Sequence, residues 1–377
     1  MTRHPSSAHT RRGIAIVMVL VAMVVLGVAA AGVLFATQRG ARDSGDSLRR
    51  TRTLAAAEYG LYHSLSPAEW RSRWNTTSER GLLATRVHQL AEGAIDTVRL
   101  WKLAPASFLL TSDAALGVGP LRARRRLGLL VALDAPRLTP LATVTARNQV
   151  TIAGASTISG IDTPVPQWLC PQPADALPAV AVTDRALVAT SDCDDATCLI
   201  GWTEILATPR AAEPETHERF GTTQRSELAA GGVPIASGTT IHVPTPTLDA
   251  HGACDLANPR NLGDPLRYLG VSSPCADHVL VGHALGDLHI SGGAAQALLI
   301  VDGDLTLDAG AHFFGVAIVR GTLHLSGAAH LTGVVLASRI ILEARSRIDY
   351  SRCALAHALR AAAIPTVPRG PSWVEVY

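Results

Sequence analysis

The cysteines have the most obvious chemistry in this sequence, and their spacing favours disulfide bonds over metal binding. The chain contains six of them, at Cys170, Cys193, Cys198, Cys254, Cys275 and Cys353. A structural zinc site uses closely spaced pairs of the CxxC kind, and none occurs here. Of the fifteen pairings that six cysteines allow, we expect the short-range pairs Cys193–Cys198 and Cys254–Cys275, which leaves Cys170 for Cys353.

Two groups of acidic residues have the composition of calcium ligands. They are Asp192, Asp194 and Asp195 around Cys193, and Asp302, Asp304 and Asp308 further along the chain. Calcium prefers carboxylate and carbonyl oxygens, and β-roll proteins bind it between turns through a Gly- and Asp-rich nonapeptide. That nonapeptide is absent, and polar turns account for both groups. We therefore predict no metal site.

Two histidines, His289 and His324, occupy equivalent outward positions in a repeat described below. A histidine ladder could bind a metal or respond to pH. Thr306 occupies the position between them and interrupts the ladder. We therefore interpret both histidines as solvated strand residues.

The sequence lacks the motifs of common catalytic sites. It contains no GxSxG elbow, Walker loop or HExxH motif, and no GxGxxG after a predicted strand. Polysaccharide-cleaving β-helices use paired carboxylates, whereas the outward positions of the repeat are His289, Thr306, His324 and Ile341. We expect no catalytic residue, no cofactor and no enzymatic activity. A β-helix hydrolase or lyase is the least favoured alternative.

The composition limits the partners of the chain. The 33 basic and 31 acidic residues nearly cancel, leaving a formal net charge of +2, which argues against a nucleic-acid partner. Aromatic residues make up only 4% of the chain, so no aromatic stacking platform is expected. A local basic run lies at Arg122–Arg126. We interpret it as a solvated strand edge, because edge charges prevent aggregation.

The positive mean hydropathy of +0.22 owes much to one uncharged segment, Gly13–Ala36. As a helix it is long enough to span a bilayer, and it exceeds the apolar core of a secretory signal peptide. Ala29–Ala31 nevertheless leaves a removed signal as an alternative. The N-terminal region therefore divides into a basic leader (1–12), a transmembrane helix (13–36) and a helical continuation (37–66).

Two signals bear on the membrane orientation, and they oppose each other. More arginines follow the apolar segment than precede it, which by the positive-inside rule favours a cytoplasmic C-terminal part. The sequence shows no second span, however, and the cysteines suit an oxidising compartment. We expect a single-pass inner-membrane protein with a cytoplasmic N-terminus and a periplasmic or extracellular C-terminal domain.

The helical continuation carries one carboxylate on a predicted apolar face. Leu54, Glu58, Leu61 and Leu65 fall at i, i+4, i+7 and i+11, so they share a face. Glu58 then either bends into water or forms an intermolecular ion pair or cap contact when helices bundle.

The N-terminal region resembles the PilX-type minor pilins of type IV pilus systems. The matching features are the Arg-Arg-Gly of Arg11–Gly13, the uncharged helix after it, and the ending Ala56-Ala57-Glu58-x-Gly60. The resemblance implies assembly with other pilin or pseudopilin helices, and cleavage between Gly13 and Ile14. It also implies a glutamate fifth in the mature helix, where this chain has Met18. The residues expected to contact neighbouring helices are Met18, Leu54, Glu58 and Leu61.

The rest of the chain has the patterns of β-structure. Short β-rich runs within 94–134 predict a small antiparallel sheet that packs on the helix, as in pilin-like proteins. Further on, similar strands begin at Leu288, Leu305, Leu323 and Ile340, at steps of 17, 18 and 17 residues. Coils of this length bury a continuous apolar column when they stack. The period therefore predicts a parallel β-solenoid over 276–350.

An earlier copy of the repeat, Val150–Gly160, aligns with Leu323–Gly333 without a gap. We therefore expect a first solenoid coil over 141–162, a Cys- and Pro-rich insertion over 163–275, and a C-terminal tail over 351–377. The solenoid resembles bactofilin-like and other polymer-forming β-helices in architecture, which implies no activity. The predicted fold is α+β: a pilin-like transmembrane helix, a small antiparallel sheet and an interrupted β-solenoid with 17–18-residue coils.

Together these features predict a structural role in a membrane assembly. We expect a non-enzymatic, membrane-anchored, minor-pilin-like component of a type IV pilus or a type II secretion-like apparatus. Its helix would bundle with other pilins, and its solenoid would be displayed outside the inner membrane. The alternative is a membrane-tethered β-solenoid scaffold or adhesin unrelated to pili.

Overall fold

The computed structural model describes most of the 377-residue chain. The described residues are 12–65, 80–90, 93–104, 106–117, 119, 122–165, 168, 170, 172–192, 194–242, 246–250, 252–256, 258–265, 273–368, 370 and 372–375, without the side chains of 12–15, 195, 196 and 375. Their fold is of the predicted α+β class, with one long helix, an antiparallel sheet and a large, mainly parallel sheet.

Helix α1 runs from Arg12 to Ser64 without a break, over 53 residues. Its first half consists mainly of Val, Leu, Ala and Met, which do not compete with the backbone for hydrogen bonds as Ser, Asp and Asn do. The predicted transmembrane helix (13–36) and its continuation (37–66) are therefore one element. Among the described helices, only α1 is long and apolar enough to cross a membrane.

Six strands form an antiparallel sheet beside α1. Their bounds are β1 Gly81–Gln89, β2 Ile95–Ala104, β3 Ser107–Leu116, β4 Ala123–Asp134, β23 Ile364–Thr366 and β24 Trp373–Glu375. The order is β1-β2-β3-β4, and β23 and β24 both pair with the other side of β4. Side chains of β2 alternate in burial, as expected for a strand with one face on a core.

This sheet differs from the prediction at both of its ends. Strand β1 lies before the expected range (94–134), because polar residues such as Thr85 and Arg86 obscure its alternation. The prediction of a C-terminal tail over 351–377 is wrong. That region supplies a helix and the two strands that complete the sheet.

A second sheet of 16 strands is built mainly from parallel pairs, and we call it the β-stack. Its strands are β5 Val144–Ala146, β6 Val150–Ile152, β7 Thr157–Ser159, β8 Val180–Val182, β9 Val188–Thr190, β10 Leu199–Ile200, β11 Ile205–Ala207, β14 Val233–Ile235, β15 Thr239–His242, β16 Leu280–Ala284, β17 Leu288–Ser291, β18 Ala294–Val301, β19 Leu305–Asp308, β20 His312–Leu325, β21 His330–Leu342 and β22 Arg347–Asp349. A separate hairpin consists of β12 Arg219–Phe220 and β13 Thr223–Gln224.

The register of the β-stack follows the sequence period. Leu288 pairs with Leu305, Leu305 with Leu323, and Leu323 with Ile340. The predicted steps of 17–18 residues are therefore present as parallel strand pairs. Leu305 and Leu323 are fully buried in one core that extends along the stack.

Two glycines allow the long strands to change direction inside the stack. Gly315 and Gly333 have φ values of 135° and 149°, a region that other residues rarely adopt. A Cβ atom on Gly333 would lie 1.8 Å from the carbonyl oxygen of Gly315. Strand β21 pairs with β22 before Gly333 and with β5 and β6 after it, so the strand passes from one face to the next there.

The coils do not stack in the order of the sequence. Strands β5 and β6 pair with β21, and β7 pairs with β22. The first coil, β5 to β7, therefore lies in the middle of the β-stack, and the following strands, β8 to β11, extend it to one end. The chain then returns to the other end at β14, and the later coils fill the space from there to β22.

The predicted insertion over 163–275 is wrong in part, because it supplies both ends of the β-stack. It contains β8 to β11 at one end and β14 and β15 at the other. These strands have only two to four residues each, so no period reveals them.

Two helices cover one face of the β-stack. They are α2, Arg225–Gly231, and α3, Arg352–Ala361, and the shorter helical segments are Arg185–Leu187, Asp195–Cys198, Pro209–Ala211 and Pro214–Glu218. Leu228 of α2 and Leu355 of α3 pack in one cluster with Ile300 and Ile318 of the strands. This face is buried on both sides, which explains its uninterrupted apolar runs, such as 297–301.

The β-stack and its helices are inserted into the antiparallel sheet. Asp134, the last residue of β4, pairs directly with Ile364, the first residue of β23. Residues 135–363 lie between these two neighbours. Helix α1 and the six-stranded sheet are therefore one unit, made from both ends of the chain.

Candidate functional site on the N-terminal helix

The first half of α1 presents an apolar surface without a partner among the described residues. Every described side chain from Ile16 to Ala36 is exposed, and Met18 is 69% exposed. Removing such surface from water is favourable by about 25 cal/mol per Å², so burial in a bilayer or against other helices would stabilise this half. Gly13 and Ile14 lie in the first turn of α1, and the leader before Arg12 lies outside the described residues.

The second half of α1 packs on the antiparallel sheet through mostly small side chains. Thr53, Ala57 and Leu61 are fully buried there, and Ser64 is nearly so. Ala57 and Leu61 belong to one core cluster with strand residues that include Leu110. Small side chains on this face let the helix backbone approach the strands closely.

The closest approach of α1 to the sheet is at Gly60. A Cβ atom there would lie 1.7 Å from Oδ2 of Asp96. Asp96 is fully buried, and Ser112 Oγ donates a hydrogen bond to its Oδ1 at 2.6 Å. Burial raises the pKa of the Asp96 carboxyl, and the Ser112 hydrogen bond opposes that rise. Gly60, the last residue of the pilin-like ending, therefore makes room for a buried carboxyl.

The predicted apolar face of α1 is rotated in the structure. Leu61 is buried and Leu54 and Leu65 are half-buried, but Glu58 is exposed. Glu58 faces away from the sheet, as both alternatives for it require, because small residues such as Ala57, more than the leucines, face the sheet. The intermolecular contact stays a prediction.

Glu58 lies instead in a row along the outward side of α1, which we call the outer seam. Its members are Ile16, Leu20, Met23, Gly27, Ala30, Leu34, Thr37, Ala41, Ser44, Leu48, Thr51, Ala55, Glu58 and Tyr62, and all of them are exposed. Alternating steps of 4 and 3 residues are the spacing by which helices pack side by side in left-handed bundles. The seam runs through both halves of the helix.

The outer seam differs in composition from the rest of α1 beyond the apolar segment. Arginines and aspartates occur at 39, 42, 43, 46, 49, 50 and 52, and none of these positions is in the seam. The first charged residue of the seam is Glu58. The spacing is visible in the sequence, but small members such as Ala41 and Ser44 give it little hydrophobic contrast.

Two ring contacts connect the C-terminal end of α1 to strands at opposite edges of the sheet. The ring centroid of Tyr62 lies 5.5 Å from that of Trp373 in β24, and that of His63 lies 5.6 Å from that of His88 in β1. Tyr62 is 59% exposed and Trp373 is 39% exposed. The C-terminal strands therefore contribute an aromatic residue beside the outer seam.

The basic run Arg122–Arg126 is partly neutralised within the sheet. Arg124 Nε donates to Asp113 Oδ1 at 2.6 Å, and Arg126 donates to Oδ2 at 2.9 Å. The hydrogen bond from Arg124, assisted by Arg126, lowers the pKa of Asp113 to about 2. The described strands β23 and β24 pair with β4 between Leu127 and Asp134, beyond the arginine run, in line with the expected strand edge.

The structure pairs the cysteines as far as it describes them. Cys170 is bonded to Cys353, and Cys254 to Cys275, as expected from the sequence. Cys198 is also in a disulfide, and its expected partner, Cys193, lies outside the described residues. The Cys170–Cys353 bond attaches the segment after β7 to the start of α3.

Histidines of the β-stack contact carboxylates of the next coil. The pairs are His283 with Asp302, His324 with Glu343, and His330 with Asp349, all 19 residues apart, with Nε2–oxygen distances of 2.8, 3.3 and 2.8 Å. His289 Nε2 lies 2.9 Å from Asp308 Oδ2 in the same way. The two ladder histidines, His289 and His324, are therefore more than solvated residues, because each links two coils.

The aspartates considered as calcium ligands also connect coils. Arg225 donates a hydrogen bond to Asp302 at 2.6 Å. Burial alone would raise the pKa of the Asp302 carboxyl, but the hydrogen bonds from Arg225 and His283 lower it. Asp304 Oδ1 accepts a hydrogen bond from the backbone N–H of Thr322 at 2.6 Å. Within the described part of the chain, no three His, Cys, Asp or Glu side chains are placed to hold a metal.

One polar cluster of the β-stack resembles a catalytic arrangement in composition only. His330 Nε2 lies 2.8 Å from Asp349 Oδ2 and 3.4 Å from Thr332 Oγ1. A nucleophilic triad needs the acid and the nucleophile on different ring nitrogens, whereas here both face the same one. His312 stacks on His330 at 4.1 Å, and burial, with His330 nearby, lowers the pKa of His312 to about 3.

Comparisons with known proteins found similarity to solved structures only. No protein-family model matches the sequence, and no curated protein is significantly similar to it. One of the similar structures is the crystal structure of the competence-associated pilin ComZ from Thermus thermophilus. The two chains share 14% identity over 87% of this chain and 98% of that chain, with a TM-score of 0.24. Because that score is too low to establish a common fold, the functional argument rests on α1 and its sheet.

Proposed function

We propose that the chain is a non-enzymatic, membrane-anchored, minor-pilin-like component of a type IV pilus or a type II secretion-like apparatus. In this proposal the apolar half of α1 lies in the inner membrane, with the N-terminus in the cytoplasm. The outer seam packs on the helices of other pilin or pseudopilin subunits. The sheet and the β-stack are displayed on the far side of the membrane.

The continuity of the outer seam is the observation that carries the proposal. A simple membrane anchor needs only an apolar segment of about 20 residues. The seam continues without charge from Thr37 to Ala55, while charged residues occupy the rest of the helix surface. An uncharged row on an otherwise charged, exposed helix is typical of a surface that packs on another helix.

Glu58 is the natural place for a specific contact within such a bundle. It is the one charged residue in the seam and is exposed in the single chain. A carboxylate that becomes buried between helices needs a basic partner. The exposed Arg50 lies eight residues before Glu58, about 12 Å along the helix axis, so an equivalent helix shifted by that distance would offer such a partner.

The disulfides support the placement of the β-stack outside the cytoplasm. Cys170–Cys353 and Cys254–Cys275 are both formed. Disulfides persist in the periplasm and at the cell surface but are rare in the cytoplasm. This agrees with an N-terminus in the cytoplasm and opposes the orientation that the arginine count favours.

Photocrosslinking from the outer seam tests the proposal. A photoreactive phenylalanine analogue at Leu48, which is 52% exposed, is placed in the full-length chain in its native membrane. We expect covalent adducts whose crosslinked peptide, identified by mass spectrometry, lies in the N-terminal apolar helix of another pilin-like chain. The matched control places the same analogue at Ser47, which is exposed but outside the seam.

Three outcomes would reject the pilin proposal. They are equal adducts from Leu48 and Ser47, adducts with lipid only, or adducts only with proteins that lack an N-terminal apolar helix. The last two would favour the tethered scaffold. N-terminal sequencing of the mature protein adds a separate test, because a start at Ile14 supports processing by a prepilin-type peptidase.

A further inference from the structure

The β-stack has two ends, and each consists of strands that pair on one side only. Among the described strands, β9, β10 and β11 lie at one end, and β14 and β15 lie at the other. An unpaired edge offers N–H and C=O groups to any extended chain, and proteins therefore block or cover most edges. The two ends of this β-stack differ in that respect.

Strand β14 is blocked by a proline. The C=O of Ile235 accepts a hydrogen bond from the N–H of Leu285 in the next coil, so the backbone groups of Ile235 point into the stack. Successive residues of a strand direct these groups to opposite sides. Pro234 therefore faces outward, and because proline has no N–H, the central donor of this edge is missing.

Strand β11 has no such block. The C=O of Glu204 accepts from the N–H of Val180, and the N–H of Thr208 donates to the C=O of Val182. Ile205 and Ala207 alternate with these residues, so their backbone groups point away from the stack. Neither is a proline, and β11 pairs with β8 alone among the described strands.

The residues on either side of β11 are complementary to each other. Trp202, before the strand, is 65% exposed. Glu204 forms an ion pair with Arg185 of its own chain at 3.4 Å and keeps 39% of its side chain exposed. Arg210, after the strand, is exposed as well. In an antiparallel pair of two such strands, the Trp202 and Glu204 end of one copy meets the Arg210 end of the other. A carboxylate and an aromatic ring are both favourable neighbours for an arginine.

We propose that this end of the β-stack is a self-association surface, on which β11 pairs antiparallel with β11 of a second copy around a twofold axis at Leu206. Ile205 of each copy exchanges backbone hydrogen bonds with Ala207 of the other. A contact that uses the same patch on both copies closes at a dimer. Pro234 at the opposite end prevents growth into a filament through β14.

A cysteine trap in the full-length chain, purified in detergent, tests the twofold axis. Opposed residues of an antiparallel pair have Cβ atoms about 4.5–5.5 Å apart, so mild oxidation of Leu206→Cys is expected to give a covalent dimer on a non-reducing gel. The matched control is Val233→Cys, at a half-buried position like Leu206 but on the blocked terminal strand. Equal dimer yields from the two variants, or no dimer from Leu206→Cys, would overturn the proposal.

Second substitutions in the Leu206→Cys chain test the hydrogen bonds and the register. Ala207→Pro removes an outward N–H, as Pro234 does at the other end, and is expected to lower the dimer yield about tenfold. Its fold is checked by circular dichroism. Arg210→Glu is expected to lower the yield, and Trp202→Arg with Arg210→Glu to restore it, because positions 202 and 210 oppose each other around an axis at Leu206. An unchanged yield with Ala207→Pro, or no recovery in the Trp202→Arg, Arg210→Glu chain, contradicts the pairing.

The dimer contact is separate from the outer seam, and the two proposals can fail independently. Leu48→Arg places a charge in the seam but lies far from β11 in the sequence and on a different unit. The Leu206→Cys dimer is expected to persist in the Leu48→Arg chain. Its disappearance there would show that helix association, and not strand β11, brings the copies together.

Discussion

At the scale of single residues, Gly60 sets the distance between α1 and the sheet. The Asp96 carboxyl occupies the space that a side chain at position 60 would need, and Ser112 holds it there. Oδ2 of Asp96 has no hydrogen-bond partner among the described residues, so moving this carboxyl also disturbs a buried polar group.

Gly60→Ala is therefore expected to destabilise the helix–sheet unit. The added Cβ atom would lie 1.7 Å from Asp96 Oδ2, and relieving such overpacking costs about 1–3 kcal/mol. The control is Gly40→Ala in the same helix, where nothing lies within 4 Å and alanine favours the helix by about 0.5–1 kcal/mol. Thermal unfolding should show a lower midpoint for Gly60→Ala only. Equal midpoints would mean that the sheet moves away without cost.

Asp113 makes the stability of the sheet depend on pH. Its pKa is lowered from 3.8 to about 2, so folding favours the ionised form. The resulting stability is present above the pKa of the unfolded chain and is lost as the pH falls from about 4 to about 2. Because both arginines are partly exposed, the loss is about 1 kcal/mol.

Asp113→Asn tests this contribution by urea unfolding at several pH values. The variant is expected to be less stable than the parent at neutral pH and to lose less stability between pH 4 and pH 2. Asp43→Asn, at an exposed position on α1, serves as the control and should follow the parent. An Asp113→Asn chain with the parent's acid sensitivity would show that other carboxylates dominate this range.

Residues whose role depends on spacing were the ones that the sequence could predict. The cysteine pairs follow from separation and elimination, and the structure contains Cys170–Cys353 and Cys254–Cys275. Asp96 could not be predicted, because a lone aspartate in a strand gives no signal of burial. The rotation of the buried face of α1 away from Glu58 could not be predicted either, because the helix packs through small residues that hydrophobic periodicity underweights.

At the scale of elements, the long strands of the β-stack depend on glycines where they change face. Gly333 and Gly310 both have positive φ values, of 149° and 71°. They differ in the room available for a side chain. A Cβ atom on Gly333 would lie 1.8 Å from a carbonyl oxygen, whereas a Cβ atom on Gly310 would have no neighbour within 4 Å. The pair therefore separates backbone strain from steric exclusion.

Gly333→Ala is expected to destabilise the β-stack far more than Gly310→Ala. The first adds a backbone clash to an unfavourable φ, at a cost of more than about 2 kcal/mol, and the second adds only an unfavourable φ, at about 1 kcal/mol. Chemical denaturation followed by far-ultraviolet circular dichroism measures both. Similar losses for the two variants would mean that the coils separate readily enough to admit the methyl group.

The sequence predicts elements well where they repeat and poorly where they do not. The steps between Leu288, Leu305 and Leu323 appear as strand pairs in register. Terminal strands such as β10 and β11 have two or three residues, which is too short for any alternation to show. These strands belong to the β-stack because they form hydrogen bonds with β7 and β8, and a local sequence pattern does not predict such distant partners.

At the scale of the whole molecule, the β-stack is an insert that the helix–sheet unit does not need for its connectivity. Asp134 and Ile364 are paired neighbours in adjacent strands. A two-residue Asn-Gly turn joins antiparallel strands that end in this way. The sheet could therefore be completed by a short hairpin between β4 and β23.

Replacing residues 135–363 with Asn-Gly is expected to leave a folded unit of α1 and six strands. Cooperative thermal unfolding in detergent, with β-sheet circular dichroism, is the measurement. The comparison chain lacks residues 364–377 and keeps the β-stack. In it, the β4 amides that face β23 and β24 should lose their protection against hydrogen exchange, while those that face β3 keep it. Retained protection in that truncated chain would show that β23 and β24 do not complete the sheet.

The place of the C-terminal residues and the order of the coils could not be predicted from sequence patterns, because both depend on contacts between distant parts of the chain. Residues 351–377 lack a long apolar run or a clear period, and their pattern therefore predicts a tail. They fold because β4 already offers an edge to Ile364 and Trp373. Likewise, the alignment of Val150–Gly160 with later coils correctly shows membership in the β-stack, but similar coils fit equally well at many levels, so similarity does not determine their order.

The stacking order has a consequence for the time course of folding. Asn148 and Ser338 touch across the middle of the β-stack although they are 190 residues apart. The first coil of the chain can pair along that edge only after the last coil has emerged from the ribosome. Contacts of such long range slow folding and expose unfinished edges to aggregation. The unfinished β-stack must therefore remain soluble, or be held by a chaperone, until synthesis of the chain is almost complete.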